Sequence, residues 1–128
     1  MKKELFICIL IFIIIIIANI LTQNYTKECV SYIDKELNLL KESSINKENN
    51  KVISERIANI ENVWNNYQEK LAYYIEHNEL EKVETQIYSI KGLIESKSYD
   101  SILSEIEKCS FILKHIEEKS KLSIKNIF

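Results

Sequence analysis

Ile53 to Tyr74 reads ISERIANIENVWNNYQEKLAYY, and its apolar residues recur at Ile53, Ile57, Ile60, Trp64, Tyr67, Leu71 and Tyr74. Steps of four and three alternate, which lays one apolar stripe along one face of an α-helix, the seam of a bundle or coiled coil. The same rhythm returns downstream at Leu80, Val83, Ile87, Ile90 and Ile94, and again at Tyr99, Ile102, Ile106, Cys109, Leu113 and Ile116. Upstream it is briefer, at Val30, Ile33, Leu37 and Leu40. Four segments therefore each carry one face that must be buried against the others.

Polar breaks separate the stripes. Ser43–Asn50, SSINKENN, is rich in Ser and Asn, whose side chains compete with helix by bonding nearby backbone. Asn78 followed by Glu81 has the spacing of a capping box, and Ser98 before Asp100 suits a helix start. These signals predict helices over about 24–42, 51–77, 79–96 and 99–117. Nothing at Thr22–Lys27 forces a break, so the first helix is free to continue an upstream one. The chain has one glycine and no proline, too few turn residues for a β-rich or loop-rich architecture. Short connections make consecutive helices antiparallel neighbours. The predicted class is all-α, an antiparallel bundle of three to four helices.

Outside the bundle stands Leu5–Leu21, LFICILIFIIIIIANIL, uncharged and preceded by Met1-Lys2-Lys3-Glu4. As a helix it would reach ~26 Å, close to the ~30 Å hydrocarbon core of a bilayer. The run exceeds a signal-peptide core, and no Ala-x-Ala pattern follows it. An uncleaved anchor is therefore expected, with a cleaved leader as the alternative. Cys8 lacks the setting of a lipoprotein cysteine, because Ile7 is not small and the apolar run continues past it. Asn19 lies near the end of the run, where interfacial water can reach it. Lys2 and Lys3 favour a cytoplasmic N-terminus. The expected organisation is a cytoplasmic start at 1–4, a transmembrane helix at 5–21 and an extracytoplasmic helical domain at 22–128, in a single-pass protein of the cell membrane. The weight of Ile, Lys, Asn and Tyr fits the AT-rich codons of a low-GC bacterium.

Lys+Arg number 17 against 19 Asp+Glu, and the two signs alternate along the chain. That is a solvated surface and lacks the basic face of a nucleic-acid binder. Cys29 and Cys109 fall on apolar stripes, where a free thiol behaves as a small hydrophobe. A bridge between them is the alternative, if the first and last helices lie side by side.

No paired carboxylates, nucleophile–base pair or phosphate loop is present, so no enzymatic activity is expected, and no cofactor. His77 and His115 are the weak candidates for metal binding. Each falls near a predicted helix end, where the helix dipole alone favours an imidazole. Trp64, Tyr67, Tyr73 and Tyr74 cluster on the second helix, with core packing the main expectation and an aromatic groove the sharper one. Gly92 lowers helix propensity, for which close helix approach is the expected reason. The tail from Leu122 to Phe128 is expected to fold back and close the bundle, or else to offer Asn126, Ile127 and Phe128 to a partner.

Trp64 with Tyr67, then His77-Asn78-Glu79, the helical pair that follows, Lys114-His115-Ile116-Glu117-Glu118-Lys119 and the terminal Leu122-Ser123-Ile124-Lys125-Asn126-Ile127-Phe128 resemble small bacterial proteins of the domain-of-unknown-function family numbered four-three-six-three. The resemblance covers nearly the whole chain through short, degenerate motifs, and is weakest over Ser43–Asn50. It implies a short basic N-terminus, one membrane span and a helical extracytoplasmic part without assigned activity, in clostridia and related spore-formers. It also implies a multi-span membrane protein encoded nearby. The function expected is thus a non-catalytic interaction or accessory subunit for such a partner, or for a second copy of itself. Trp64, Tyr67, His77, Asn126, Ile127 and Phe128 are the contact candidates. The alternative is an extracytoplasmic sensor or binding domain for a small ligand or metal.

Overall fold

The computed structural model describes residues 1–127, with the side chains of 1–121, and Phe128 lies outside the described residues. The apolar stripes form four helices: α1 Lys2–Ile45, α2 Asn50–Leu71, α3 His77–Glu95 and α4 Tyr99–Ile127. No strand occurs among the described residues. Each helix packs on its chain neighbours, and α4 closes the ring on α1. This is an up-down-up-down bundle, as the short connections require.

The core is the set of stripes. Val30, Ile33, Leu37 and Leu40 of α1 are buried. So are Ile53, Ile57, Ile60, Trp64 and Leu71 of α2. Leu80 to Ile94 of α3 and Ile102 to Ile116 of α4 supply the other two walls. Each full aliphatic burial stabilises the fold by about 1.5–3 kcal/mol before chain entropy is counted. Cys29 and Cys109 are buried within this core as free thiols.

Around the core, polar groups fix the register of neighbouring helices. Ser110 donates to the Asp34 carboxylate between α4 and α1. Lys41 meets Glu107 at 2.7 Å, and Lys91 meets Glu61 at 3.2 Å.

α1 is unbroken from the apolar run into the bundle. Thr22 and Thr26 are accommodated within it: the Thr22 hydroxyl bonds back to the Asn19 carbonyl (3.0 Å), and Thr26 Oγ1 lies 2.8 Å from the Thr22 carbonyl oxygen. Up to Leu21 the large apolar side chains other than Ile16 stand exposed, Phe6 at 68 %. From Thr26 onward the inward face is closed. This helix is long and apolar enough to cross a membrane.

The outer turns, 46–49 and 96–98, have the same construction. Lys47 and Lys97 sit in the left-handed region, φ 52° and 58°. Glu48 N–H donates to the Ser43 carbonyl and Lys47 N–H to that of Ser44; Ser98 and Lys97 repeat this on Leu93 and Ile94. Each is a Schellman motif that has lysine where glycine is usual. Asn49 caps α2 through its side chain, which accepts from Lys51 N–H at 3.1 Å. Ser98 holds the position before α4, but its hydroxyl pairs with that of Ser96 at 3.0 Å.

Four expectations are corrected. α2 ends at Leu71, short of His77, because Ala72–Ile75 turn so that the Tyr74 hydroxyl reaches α1. His77 therefore opens α3 and does not close α2, and Asn78 lies inside α3 with Glu76 in the cap position, where it makes no side-chain cap bond. α4 does not end near 117 and fold back; it runs on to Ile127, with Glu117 and Lys121 paired at 3.4 Å along it and no glycine or proline to stop it. Gly92 marks no close approach, since a Cβ there would meet nothing within 4 Å.

Candidate functional site

The end of the bundle nearest the apolar run, termed the anchor end after the expected anchor, is where α1 emerges, α2 turns into α3, and α4 passes by. Asn19 and Thr22 of α1, Tyr74 and Glu76 of the turn, Glu79 of α3, and Lys119 and Ser120 of α4 enclose a cavity of about 220 Å³ there. Ile75 and Ile116 form its apolar floor.

Tyr74 fixes one wall. Its hydroxyl donates to the Thr22 carbonyl at 3.1 Å and shares a 2.8 Å hydrogen bond with Thr26 Oγ1. Burial raises its pKa, outweighing the opposite effect of the Thr26 bond, so the phenol stays protonated at neutral pH.

Glu79 forms the opposite wall and is 8 % exposed. Its Oε1 lies 3.4 Å from Lys82 Nζ and 3.6 Å from Lys119 Nζ. Oε2 is buried without a partner. Burial pushes this carboxyl up, but Lys82, Lys119 and His115 together outweigh it and hold the pKa below the usual value. The group is therefore a carboxylate with half its hydrogen-bonding capacity unused. Lys119 also approaches Glu76 Oε2 at 3.7 Å. Across the cavity, Asn19 Nδ2 is likewise buried and unpartnered. An unmade hydrogen bond at a buried polar atom costs about 1–3 kcal/mol, more at a charge. Two such atoms, a donor and an acceptor, border one cavity.

The imidazoles lie at this same end but do not join in one site. His77 pairs with Glu81 at 2.9 Å as an (i, i+4) contact, its side chain 75 % exposed. His115 is exposed on α4, near enough to Glu79 to act on its charge. Among the described residues no three of His, Cys, Asp and Glu gather as metal ligands would.

Trp64 is 1 % exposed, a core side chain whose indole N–H has no partner. Tyr67 packs against Tyr25 with ring centroids at 5.4 Å and Tyr32 at 6.5 Å, and Lys70 Nζ stands 5.5 Å over the Tyr25 ring. Burial raises the pKa of both Tyr25 and Tyr67. This aromatic group closes the seam between α1 and α2 and leaves Tyr73 outside, 89 % exposed on the turn. Asn126 and Ile127 lie on the last turn of α4; Phe128 is outside the described residues.

Burial pushes Cys29 and Cys109 up to about 12, reinforced by Glu28 and Asp34 respectively. Neither thiol ionises near neutrality, so neither can serve as a nucleophile there.

The sequence does not mark Glu79 or Asn19 as facing a cavity. Glu79 stands beside Leu80 and four residues before Val83, on the flank of the α3 stripe. That spacing was the available signal. For Asn19 no comparable signal existed, since its neighbours are set by where α4 passes.

A bundle of four antiparallel helices, the first extended by an apolar segment of membrane-spanning length, defines the structural class. The family model described as Domain of unknown function (DUF4363) matches residues 20–127, and the chain belongs to that family. Neither a curated protein nor a solved structure matches the chain.

Proposed function

We propose that this protein is a single-pass component of the cell membrane whose bundle stands outside the cytoplasm as a non-catalytic accessory subunit, docking on a multi-span membrane protein or on a second copy. The continuity of α1 carries the reading. One helix joins exposed apolar side chains to a closed core without a turn between them, so the bundle stands directly on the bilayer surface. Lys2 and Lys3 set the orientation, by the excess of cations on the cytoplasmic side. The high thiol pKa values and the absence of a nucleophile–base pair in the sequence agree with a role in contact.

The test is carbonate extraction of cell membranes with protease shaving of intact protoplasts, followed by affinity capture from mild detergent. The expected result is a carbonate-resistant chain whose bundle is digested from outside and which co-purifies stoichiometrically with one membrane protein or with itself. A soluble chain, or a monomer without a companion, overturns the proposal.

A second reading, a binding domain for a small ligand, is favoured by one observation: the unpartnered Glu79 and Asn19 atoms at the anchor-end cavity.

A further inference from the structure

The anchor-end cavity sits where the apolar run of α1 gives way to Thr22 and Gln23. In a membrane-anchored chain, the proposal on which this inference rests, that level is the headgroup layer. α4 continues past Ser120 to Ile127, about 10 Å of helix at 1.5 Å per residue. Its backbone thus runs antiparallel beside the apolar half of α1, placing Leu122, Ile124 and Ile127 at levels below the cavity. A ligand held there would have water above it and two helices beside whatever extends downward.

The cavity is bipolar. Glu79 and Glu76 offer carboxylates, and Glu79 is more than nine-tenths buried with Oε2 unused. Lys119 offers an ammonium, and Asn19 an amide N–H without an acceptor. A purely anionic ligand would satisfy Lys119 and Asn19 but confront Glu79; a purely cationic one would do the reverse. A ligand that joins a primary ammonium to a phosphate satisfies both. At about 220 Å³ the space is below the ~300–1,000 Å³ of sites for drug-sized ligands, which suits a headgroup and excludes acyl chains.

We infer that this cavity is a binding site for an aminophosphate headgroup, that of a phosphatidylethanolamine in the surrounding leaflet. The ammonium lies against Glu79 and Glu76, and the phosphate against Lys119 and the Asn19 amide. Thr22 and Ser120 hydroxyls border the phosphate.

The full chain is reconstituted into nanodiscs containing equal parts of phosphatidylethanolamine, phosphatidylcholine and phosphatidylglycerol, and the lipid retained after detergent release is identified by native mass spectrometry. Phosphatidylethanolamine is expected to be retained in preference to both others. Phosphatidylcholine has the same charges, but its quaternary ammonium has no N–H to donate to Glu79.

Glu79→Gln should reduce that preference by about tenfold, the worth of one charge-assisted hydrogen bond, and Lys119→Met should reduce the total lipid retained by about tenfold, because the phosphate it meets is common to all three lipids. Glu81→Gln, on the exposed side of α3, should leave it unchanged. Lys119 is half exposed, so Lys119→Met keeps the test open if Glu79→Gln does not fold. Equal retention of the three lipids by an inserted chain, full preference in folded Glu79→Gln, or full retention in folded Lys119→Met overturns this inference and leaves the anchoring proposal standing. Failure of the wild-type chain to insert overturns both. Free phosphoethanolamine raising the thermal midpoint in nanodiscs of phosphatidylcholine alone, without retention of phosphatidylethanolamine, overturns the lipid source in favour of a soluble ligand.

Discussion

The two ends of the bundle are built on opposite lines. At the outer end two turns of the same design meet, each closed by a Schellman pair on a left-handed lysine. Tyr99 donates to Asn50 Oδ1 at 2.7 Å and ties α4 to α2 there. A broad depression of about 900 Å³ lies between these turns, yet none of its lining residues has a buried polar atom without a partner. At the anchor end a single turn meets two passing helices, and the smaller cavity there is bordered by an orphaned donor and an orphaned acceptor. A concavity at a completed end is a feature of shape. One whose wall atoms lack partners at an energetic cost is where a ligand is to be sought.

The largest expected effects test whether one core spans both ends. Leu71→Ala at the anchor end and Ile53→Ala at the outer end should each destabilise the bundle by about 2–5 kcal/mol, read by thermal or urea unfolding. Similar losses with a single transition mean one cooperative unit; a separate transition for Leu71→Ala would divide the ends.

Next come the tyrosines. Tyr74→Phe removes the hydroxyl's bonds to the Thr22 carbonyl and Thr26, at a cost of about 1–2 kcal/mol, whereas Tyr99→Phe removes one bond and should cost ~1 kcal/mol or less. The reverse order, measured the same way, would place the critical polar tie at the outer end.

Smaller and opposite in sign is the relief of left-handed strain. Lys47→Gly and Lys97→Gly should each raise stability by up to ~1 kcal/mol. Gly92→Ala, with open space at its Cβ, should add ~0.5–1 kcal/mol through helix propensity. Destabilisation by either lysine replacement would show that its side chain contributes more than the backbone conformation costs.

Finest is the acid response at the anchor end. Glu79 is held below its unfolded pKa by neighbouring cations, against the effect of burial. Its contribution is therefore present above the unfolded carboxylate value and is lost as pH falls through the folded one. Unfolding measured from neutral to acid pH should show a shallower loss in Glu79→Gln than in the wild-type chain. Identical profiles would mean that Lys82 and Lys119 do not favour the charged form.

Much of this architecture was legible from periodicity alone. Apart from Tyr67, Tyr74 and Tyr99, which are not fully buried, the apolar positions chosen by the three-four rhythm are the buried ones from Val30 to Ile116, because a helix can present only one stripe to a common core. The rhythm misled at Tyr74, which continues the spacing in sequence but spends its hydroxyl on α1 beyond the helix end. It was silent on the tail of α4, where apolar and polar residues alternate too irregularly to mark a face. The anchor-end cavity was out of reach for a different reason. Asn19, Glu79 and Lys119 come from three helices, and their meeting depends on axial register between antiparallel partners, which no local pattern encodes.

The joint-free course of α1 has a mechanical consequence. If α1 spans a membrane as proposed, a helix that carries both an oily half and a quarter of a packed core acts as a lever, with its fulcrum at the headgroups. Over the ~35 Å from Thr22 to Ile45, each degree of tilt swings the far turns by about 0.6 Å. Apolar segments tilt to match the thickness of the surrounding hydrocarbon. In a bilayer, then, a change in local thickness would appear as a sideways stroke of Lys47 and Lys97, delivered to whatever rests on that summit.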